Sequence, residues 1–403
     1  MFNLKSAIVL GSVLLLAWSC VTPFTPEAPN YENVVVIDAR LTNGPERARV
    51  KLSRSLPLEQ GAEINPIFGA RAWVEEEGGE SFELLEIEPG LYQNTILMPE
   101  DGEAYRMMVQ LPDGETYESS WETFESGPEI TTIEIEANQQ LNTEGNLVDG
   151  LSFFLTTEDP RGVSQFYQWE WEETWLYITP FPSTAEIITF SPFHVRLYPL
   201  ALLPDSCWRT LPNPSVILAN TQNQAQARVD RKELVFISAE DNRLFERYSL
   251  LVKQYRLTEE AYQYWELLKR VNEEGGSLFA PIPQRVRGNW TAQDDPDEIV
   301  VGYFTVGGEY QQRVFTSKAA LPDPRIVKRG FVPCEFRGFT YVNLEEQRID
   351  EYLASVYVTN RGFVYHDTLR SPISGSPIGF EFVERRCGDC RSTGGVMEQP
   401  DFW

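Results

Sequence analysis

Hydrophobic and polar residues alternate within short segments along most of the chain. Before residue 126 these segments mix β-branched and aromatic residues with polar ones, and glycine, proline or asparagine separates them. The segments are NVVVIDARLT, ARVKLSRSL, GARAWVEE, SFELLEIEPGLYQN and AYRMMVQLPDGETYESSWETF. A period of two residues is typical of strands that bury one face. We therefore predict a mainly β fold that begins with an immunoglobulin-like β-sandwich at residues 33–126.

Residues 127–403 carry the same strand-like alternation and one segment with a different period. Gly127 and Pro128 mark the boundary between the two regions. The segment LTEEAYQYWELLKRVNEEGG spaces its apolar residues three and four positions apart, with Thr258 as a candidate N-cap and two glycines at its end. We predict that this region is a larger β-sandwich-like domain with one inserted α-helix near residues 258–274.

Aromatic residues concentrate in the segment FYQWEWEETWLYI, which follows the turn-like DPRG. In a continuous strand, every second side chain lies on the same face. Five aromatic residues at odd positions therefore share a face: Tyr167, Trp169, Trp171, Trp175 and Tyr177. Either these rings fill the core of a sheet, or they form a binding surface for a sugar ring, another aromatic ligand or a protein. Core packing is the favoured account, and these five residues are the candidate binding surface in the functional one.

The beginning of the chain has the features of a lipoprotein export signal. Lys5 precedes an apolar run at residues 7–17 that is too short to span a bilayer. The small residues Ala17 and Ser19 precede Cys20, although Trp18 between them departs from the usual lipoprotein motif. We predict a lipoprotein signal peptide at residues 1–19, lipidation of Cys20 and a proline-rich tether at residues 20–32. Several acyl chains on that cysteine would hold the protein durably at a membrane. The alternative is an ordinary secretory signal with an incidental cysteine.

The charge of the chain excludes one class of partner. Its 403 residues include 60 acidic and 34 basic ones, which gives a formal net charge of -26. Phosphate groups would be repelled by this charge, so we expect no nucleic-acid partner. With 42% hydrophobic residues, the chain has enough apolar material for folded cores, and its length suits a protein of two or three domains.

Beyond Cys20 the chain has four cysteines, which are disulfide candidates: Cys207, Cys334, Cys387 and Cys390. An even number favours two disulfides in an oxidising compartment, and three connectivities are open. The CGDC spacing also fits half of a zinc site or a redox motif, but neither a second ligand pair nor a thioredoxin-like context accompanies it. We expect Cys387 and Cys390 to pair with the two distant cysteines, because closing long loops removes the most entropy from the unfolded chain.

No catalytic motif is present in the sequence. The nucleophile elbow, the zinc-protease helix motif, the P-loop and the dinucleotide fingerprint are absent, and the two histidines, His194 and His366, stand alone in strand-like segments. We therefore predict that the protein is not an enzyme and has no catalytic residue, cofactor or metal. A carbohydrate hydrolase is the enzymatic alternative, since the sequence does not show which of 60 acidic residues lie close together.

Several passages resemble one family of uncharacterised lipoproteins of Bacteroidota, the domain-of-unknown-function 4249 family. They are RYSLLVKQYRLTEEAYQYWELLKR from residue 247, GN at 288–289, VVGYF at 300–304, DPRGVSQFYQWEWEETW at 159–175, CW at 207–208 and the tail CGDCRSTGGVMEQPDFW. The resemblance extends over nearly the whole mature chain.

The resemblance implies a lipid-anchored, non-catalytic accessory or binding protein of the outer membrane. Its implied partner is a TonB-dependent receptor, in nutrient uptake or envelope assembly, and its ligand a saccharide or a peptide. Surface lipoproteins of this kind tend to carry acidic residues soon after the lipidated cysteine, whereas here the first acid is Glu27. We expect display at the cell surface rather than on the periplasmic leaflet. The alternatives are a carbohydrate-active hydrolase and a purely structural envelope component.

Overall fold

The computed structural model describes most of the chain after residue 33. The described residues are 34–55, 65–190, 194–201, 203–213, 215–274, 286–327, 333–340 and 362–403. The predicted signal peptide, Cys20 and the tether lie outside these ranges. Within them, no helix combines the length and the apolar character that crossing a membrane requires.

The described residues are mainly β, as predicted, and contain one main helix. The strands before residue 126 are β1 (Val35–Leu41), β2 (Ala48–Arg54), β3 (Asn65–Pro66), β4 (Arg71–Glu76), β5 (Ser81–Glu88), β6 (Leu91–Asn94), β7 (Ala104–Gln110), β8 (Thr116–Ser119) and β9 (Glu122–Thr123). The strands up to residue 257 are β10 (Ile130–Leu141), β11 (Leu147–Glu158), β12 (Phe166–Ile178), β13 (Ala185–Phe190), β14 (His194–Pro199), β15 (Ser206–Pro212), β16 (Ile217–Asn220), β17 (Arg228–Ser238) and β18 (Tyr248–Leu257). The later elements are α1 (Glu259–Glu274), β19 (Trp290–Ala292), β20 (Val300–Val301), β21 (Phe304–Val306), β22 (Glu309–Thr316), β23 (Phe336–Thr340), β24 (Phe363–Arg370), β25 (Pro377–Glu384) and α2 (Arg385–Gly388).

The strands before residue 126 form a sheet that encloses an apolar core. They are ordered β8, β7, β4, β5, β6, β2 and β1, and neighbouring strands are antiparallel. β5 pairs with β4 through residues 81–84 and with β6 through residues 85–88, so the sheet changes partners along this strand. Alternate residues of β1, among them Ile37 and Leu41, are fully buried. We call this unit, together with the three strands described next, the first sandwich.

Three strands from much later in the chain complete the first sandwich. β19 pairs antiparallel with β8, while β20 and β21 pair parallel with β1. The side chain of Asn289 ties these strands together, because it donates to Phe304 O at 3.1 Å and accepts from Phe304 N at 2.7 Å. A Cβ atom at Gly288 would lie 1.5 Å from the carbonyl oxygen of Gly302, so only glycine fits there. The GN passage is therefore a joint between strands that are distant in sequence.

Two further sheets face each other around a second core. One has the order β10, β11 and β17, and the other has the order β15, β12, β18 and β22, with β16 also paired to β12. Their strand pairs are antiparallel. Phe153 from one sheet and Tyr248 from the other are fully buried, with ring centroids 5.6 Å apart. We call this unit the second sandwich.

Helix α1 begins where the sequence predicts. The Thr258 hydroxyl accepts a hydrogen bond from Ala261 N at 3.2 Å, as an N-cap does, and two glutamates occupy the first turn, where the helix dipole favours negative charge. The helix packs into a small apolar cluster that draws on both sandwiches. The cluster contains Phe166, Tyr255, Leu257, Ala261, Tyr264 and Tyr303. The helix therefore lies where the two sandwiches meet.

The two sandwiches are in direct contact, and the described structure shows the chain passing between them at three places. It crosses after β9, again by way of α1 between β18 and β19, and again at Gly307 and Gly308 between β21 and β22. The backbone of Gly308 accepts from Arg256 N and donates to Glu125 O, both at 2.9 Å. Backbone hydrogen bonds thus connect a strand of the second sandwich to the end of the first.

A smaller C-terminal region packs against the second sandwich. Its sheet has the order β23, β25 and β24, and the β13–β14 hairpin contacts β24. The guanidinium of Arg313 lies 3.4 Å from the ring centroid of Phe402, and that of Arg247 lies 5.2 Å from the ring centroid of Trp403. Trp403 also meets Trp208 edge to face, with centroids 6.3 Å apart. The PDFW passage therefore folds back onto the second sandwich.

Candidate functional site

The aromatic face of β12 lies inside the second sandwich. The exposed fractions of the five rings are 0% for Tyr167, 0% for Trp169, 6% for Trp171, 5% for Trp175 and 3% for Tyr177. Trp169 Nε1 donates to Gln254 Oε1 at 2.9 Å, and the Tyr167 hydroxyl donates to Ser164 O at 2.8 Å. The polar atoms of these two rings are therefore satisfied within the protein.

The interpretation of these five residues as a binding surface needs correction. They do share one face of a single strand, as the sequence predicts, but that face is turned towards the opposite sheet. Burial raises the pKa of the Tyr167 hydroxyl well above its usual value, as it does for a phenol in an apolar core. Of the two alternatives, the rings fill the core, because a large apolar face gains most free energy when another sheet covers it.

The four later cysteines form two disulfides. Cys207 of β15 is bonded to Cys390, with Cα atoms 5.5 Å apart, and Cys334 is bonded to Cys387, with Cα atoms 6.2 Å apart. Each cysteine of CGDC has a distant partner, as expected from the sequence, which left open which partner each one takes. The thiols that a redox or zinc site would need are thereby bonded. Among the described residues, no three His, Cys, Asp or Glu side chains converge as metal ligands do.

A cavity of about 240 Å³ lies beside the disulfides, between β13, β24 and the segment around α2. Asp389 lines it, and its carboxylate accepts two hydrogen bonds from the Arg391 guanidinium, both at 2.8 Å. Burial alone would raise the pKa of the Asp389 carboxyl, but Arg391 lowers it below its usual value. Because this carboxylate stays ionised and paired, it is unsuited to donate a proton in glycoside hydrolysis.

Of the two histidines, His366 is the one whose side chain is described. The His366 ring contacts both Phe181 and Phe336, with centroids 5.5 and 5.3 Å away, and its Nε2 lies 4.0 Å from Glu381 Oε2. His194 is the first residue of β14, and its side chain is outside the described part of the structure. His366 is therefore part of an aromatic cluster in the C-terminal region.

A buried arginine connects the two sandwiches. Arg40 of β1 is 8% exposed, and its Nη2 donates to Glu170 Oε1 of β12 at 2.9 Å. Its guanidinium also lies 3.8 Å from the ring centroid of Tyr255. Burial disfavours both charges, but each stabilises the other, so the pKa of Arg40 is raised and that of Glu170 is lowered. This ion pair is a structural link, and sequence analysis missed it because the link exists only once the sandwiches dock.

A second acid is shielded from solvent near α1. Glu122 Oε1 accepts from Ser120 Oγ at 2.7 Å, from Asn289 Nδ2 at 3.1 Å and from the Tyr303 hydroxyl at 3.4 Å. Burial raises the pKa of the Glu122 carboxyl above its usual value in spite of these donors. Because none of the three partners is a cation, this carboxylate has no opposite charge among them to offset its desolvation.

Exposed apolar side chains line β5 and the loops beside it. Their exposed fractions are 83% for Ile96, 72% for Leu85, 69% for Phe68 and 54% for Ile87. We call these four residues the β5 strip. Sequence analysis missed it, although a signal was present: adjacent residues of a strand face opposite sides, so Leu84 and Leu85 cannot both point into one core. Leu84 is the buried one, with 5% exposed.

Comparisons with known proteins assign the chain to a family. A family model described as "Domain of unknown function (DUF4249)" matches residues 21–313. No curated protein matches the chain. A solved structure titled "Biofilm associated protein - BSP domain" aligns over 72% of this chain and 62% of that chain, with 6% sequence identity and a TM-score of 0.11, too low to indicate a common fold. The family match covers well over half of the chain, which therefore belongs to the DUF4249 family.

Proposed function

We propose that this protein is a lipid-anchored, non-catalytic accessory protein of the outer membrane that binds a TonB-dependent receptor. The observation that carries the proposal is the pair of disulfides, Cys207–Cys390 and Cys334–Cys387. Such bonds persist in oxidising compartments outside the cytoplasm. The apolar run before Cys20 supplies the export signal and the lipidation site that such a location requires.

The body of the protein suits binding. The Arg40–Glu170 pair and the backbone bonds of Gly308 hold the two sandwiches together before any partner arrives, and preorganised surfaces lose little entropy on association. The β5 strip adds exposed apolar area of the kind that marks protein contacts. Nutrient uptake and envelope assembly are the two processes that such a receptor partner would serve.

A purely structural envelope component is the second candidate. The burial of Trp169, Trp171 and Trp175 favours it, because these rings offer no stacking platform to a saccharide. The two candidates differ in one respect that can be measured: an accessory protein forms a complex with a receptor, and a structural component does not.

The anchor is tested by the variant Cys20→Ala. We expect the variant to keep its signal peptide uncleaved by the lipoprotein route and to lack the acyl mass that wild type carries in intact-mass spectrometry. The matched control Val21→Ala keeps the cysteine and retains that mass. Acyl mass on the Cys20 variant, or none on wild type, would contradict lipidation of Cys20.

The receptor is tested by affinity purification of the tagged wild-type protein from detergent-solubilised envelopes. We expect a TonB-dependent receptor to be recovered in a fixed ratio to the tagged chain, and a tagged unrelated lipoprotein to recover none. If the tag is accessible and the eluate contains no TonB-dependent receptor, the leading proposal is ruled out and the structural role remains.

A further inference from the structure

The loop that carries Phe68 is hydrogen-bonded to β5. The Glu86 carboxylate accepts hydrogen bonds from Gly69 N and Gly90 N, both at 3.0 Å. The first of these bonds ties the loop that carries Phe68 to the part of β5 that carries Leu85 and Ile87. Phe68, Leu85 and Ile87 are therefore exposed on segments that are bonded to each other.

The strip continues to the other end of β5. Asn94 Nδ2 donates to Glu83 O at 2.7 Å, and Asn94 Oδ1 accepts from Ile96 N at 2.8 Å. The loop after β6 is thereby held beside the first half of β5, with Ile96 at its exposed tip. The loops that carry Phe68 and Ile96 are therefore both attached to β5.

Strand pairing is interrupted at Ile87. Glu86 pairs with Tyr92 and Glu88 pairs with Leu91, so Ile87 has no partner on β6. An unpaired residue of this kind is a β-bulge, which re-aims side chains and is usually retained for a purpose. Ile87 is exposed at a position where the strand has already changed from β4 to β6 as its neighbour.

The surroundings of the strip are strongly acidic. Residues 75–88, EEEGGESFELLEIE, contain seven glutamates and neither lysine nor arginine. Glu83 is paired with Arg71 at 2.6 Å, while the hydrogen bonds from Gly69 and Gly90 lower the pKa of Glu86 and so favour its charged form. A surface of anionic lipid would be repelled by this rim, and a second copy of the chain would present the same charges.

We infer that the β5 strip docks onto a partner protein whose contact face is apolar at the centre and rich in lysine and arginine at the rim. Apolar side chains bury area against such a partner, and the acidic rim supplies complementary charge that selects it. The inference rests on the proposed function, because the receptor is the protein expected to present that face.

The inference is tested by placing a photoreactive amino acid at position 85 of the full-length protein in its native envelope. Leu141 of β10, which is 70% exposed, is the matched control position. We expect one protein adduct from position 85 and none from position 141, and the cross-linked peptide of the partner to carry lysine or arginine. Charge reversal by Glu80→Lys with Glu88→Lys should reduce the adduct about tenfold. The inference would be overturned by an adduct with lipid or with a second copy of the chain, or by the absence of any adduct. It would also be overturned if charge reversal left the adduct yield unchanged.

A parallel purification separates failure of this inference from failure of the proposed function. We expect Leu85→Asp to recover about tenfold less receptor than wild type, because a charged side chain replaces an apolar one in the contact, and Leu141→Asp to recover as much as wild type. Equal recovery with Leu85→Asp refutes docking through the strip while the receptor assignment stands. Recovery of no receptor by wild type refutes the receptor assignment, and the cross-link at position 85 then still decides the docking face.

Discussion

Arg40 lies on the outward face of β1, where solvent would surround it if the first sandwich were alone. In the whole protein it is buried against Glu170 and Tyr255 of the second sandwich. A buried pair contributes little beyond a well-packed apolar contact, but removal of one partner leaves an uncompensated charge. The pair therefore favours one docking geometry and penalises others that separate the two charges.

We predict that Arg40→Met lowers the free energy of unfolding by about 2–3 kcal/mol, somewhat less than for a fully buried pair because a third of the Glu170 side chain remains exposed. Urea denaturation measures the loss. The double variant Arg40→Met with Glu170→Gln should regain part of it, since no unpaired charge remains. Arg71→Met, at an exposed ion pair, is the control and should change little. Equal losses for Arg40→Met and Arg71→Met would contradict a structural role for the buried pair.

At Glu122 the raised pKa makes stability depend on pH. Below the usual carboxyl pKa, the group is protonated in the folded and unfolded states alike and contributes no difference. As the pH rises through the folded pKa, the unfolded state ionises more readily, so the folded protein loses stability. We predict that Glu122→Gln is more stable than wild type at pH 7.5 and that the gap closes towards pH 4.

Urea denaturation at the two pH values measures that gap, and Glu80→Gln at an exposed position is the matched control. A gap for Glu122→Gln that is independent of pH, or that widens as the pH falls, would contradict the assignment of a desolvated carboxyl.

Among the elements, sequence patterns predicted the helix and the strand faces, because interactions between residues close in sequence determine them. The period of α1 and its Thr258 cap gave the helix within one residue, and the alternation in β12 placed five rings on one face. What that face contacts was not predictable, because alternation is the same whether a second sheet or a ligand covers it. The exposure of Leu85 could have been predicted, because Leu84 and Leu85 are adjacent in β5 and adjacent strand residues face opposite sides.

Pairing between distant strands left no local signal. β20 and β21 lie parallel to β1 although most of the chain separates them, and the prediction of a first domain at residues 33–126 did not include them. The two-residue and three-residue lengths of these strands are too short for a recognisable period. Their place in the first sandwich depends on the joint at Gly288 and Asn289, which appears in the sequence only as a dipeptide.

The two disulfides close loops of different length, so their contributions to the free energy of unfolding can be compared. Cys207–Cys390 closes 183 residues and Cys334–Cys387 closes 53. In the chain-entropy view the longer loop restrains the unfolded chain more, so we predict that replacing Cys207 and Cys390 by alanine lowers the free energy of unfolding by about 1 kcal/mol more than replacing the other pair. Urea denaturation under oxidising conditions measures both losses.

Wild-type protein in reducing agent is the control for these cysteine variants, and it should lose at least as much stability as either of them. A larger loss of stability on removing Cys334–Cys387 would contradict this prediction. It would show that this disulfide stabilises the C-terminal region by more than loop entropy.

For the whole molecule, the three crossings between sandwiches mean that no cut in the chain isolates the first sandwich. We predict that residues 34–126 alone do not fold into a monomer, because β1 and β8 would each present an open edge. Residues 286–306 joined to that fragment by a flexible linker should restore folding. Sedimentation and thermal melting distinguish the outcomes, and a cooperative melt from the monomeric short fragment would contradict the prediction.

The parallel pairing of β20 and β21 with β1 also determines how late in synthesis β1 can complete its strand pairing. A ribosome makes β1 early and its last neighbours only after β10 to β18 of the second sandwich have been translated. Throughout that interval β1 has a vacant side, open to any other extended chain nearby. A newly made molecule of this protein must therefore avoid non-native pairing of β1 until residues 300–306 are available.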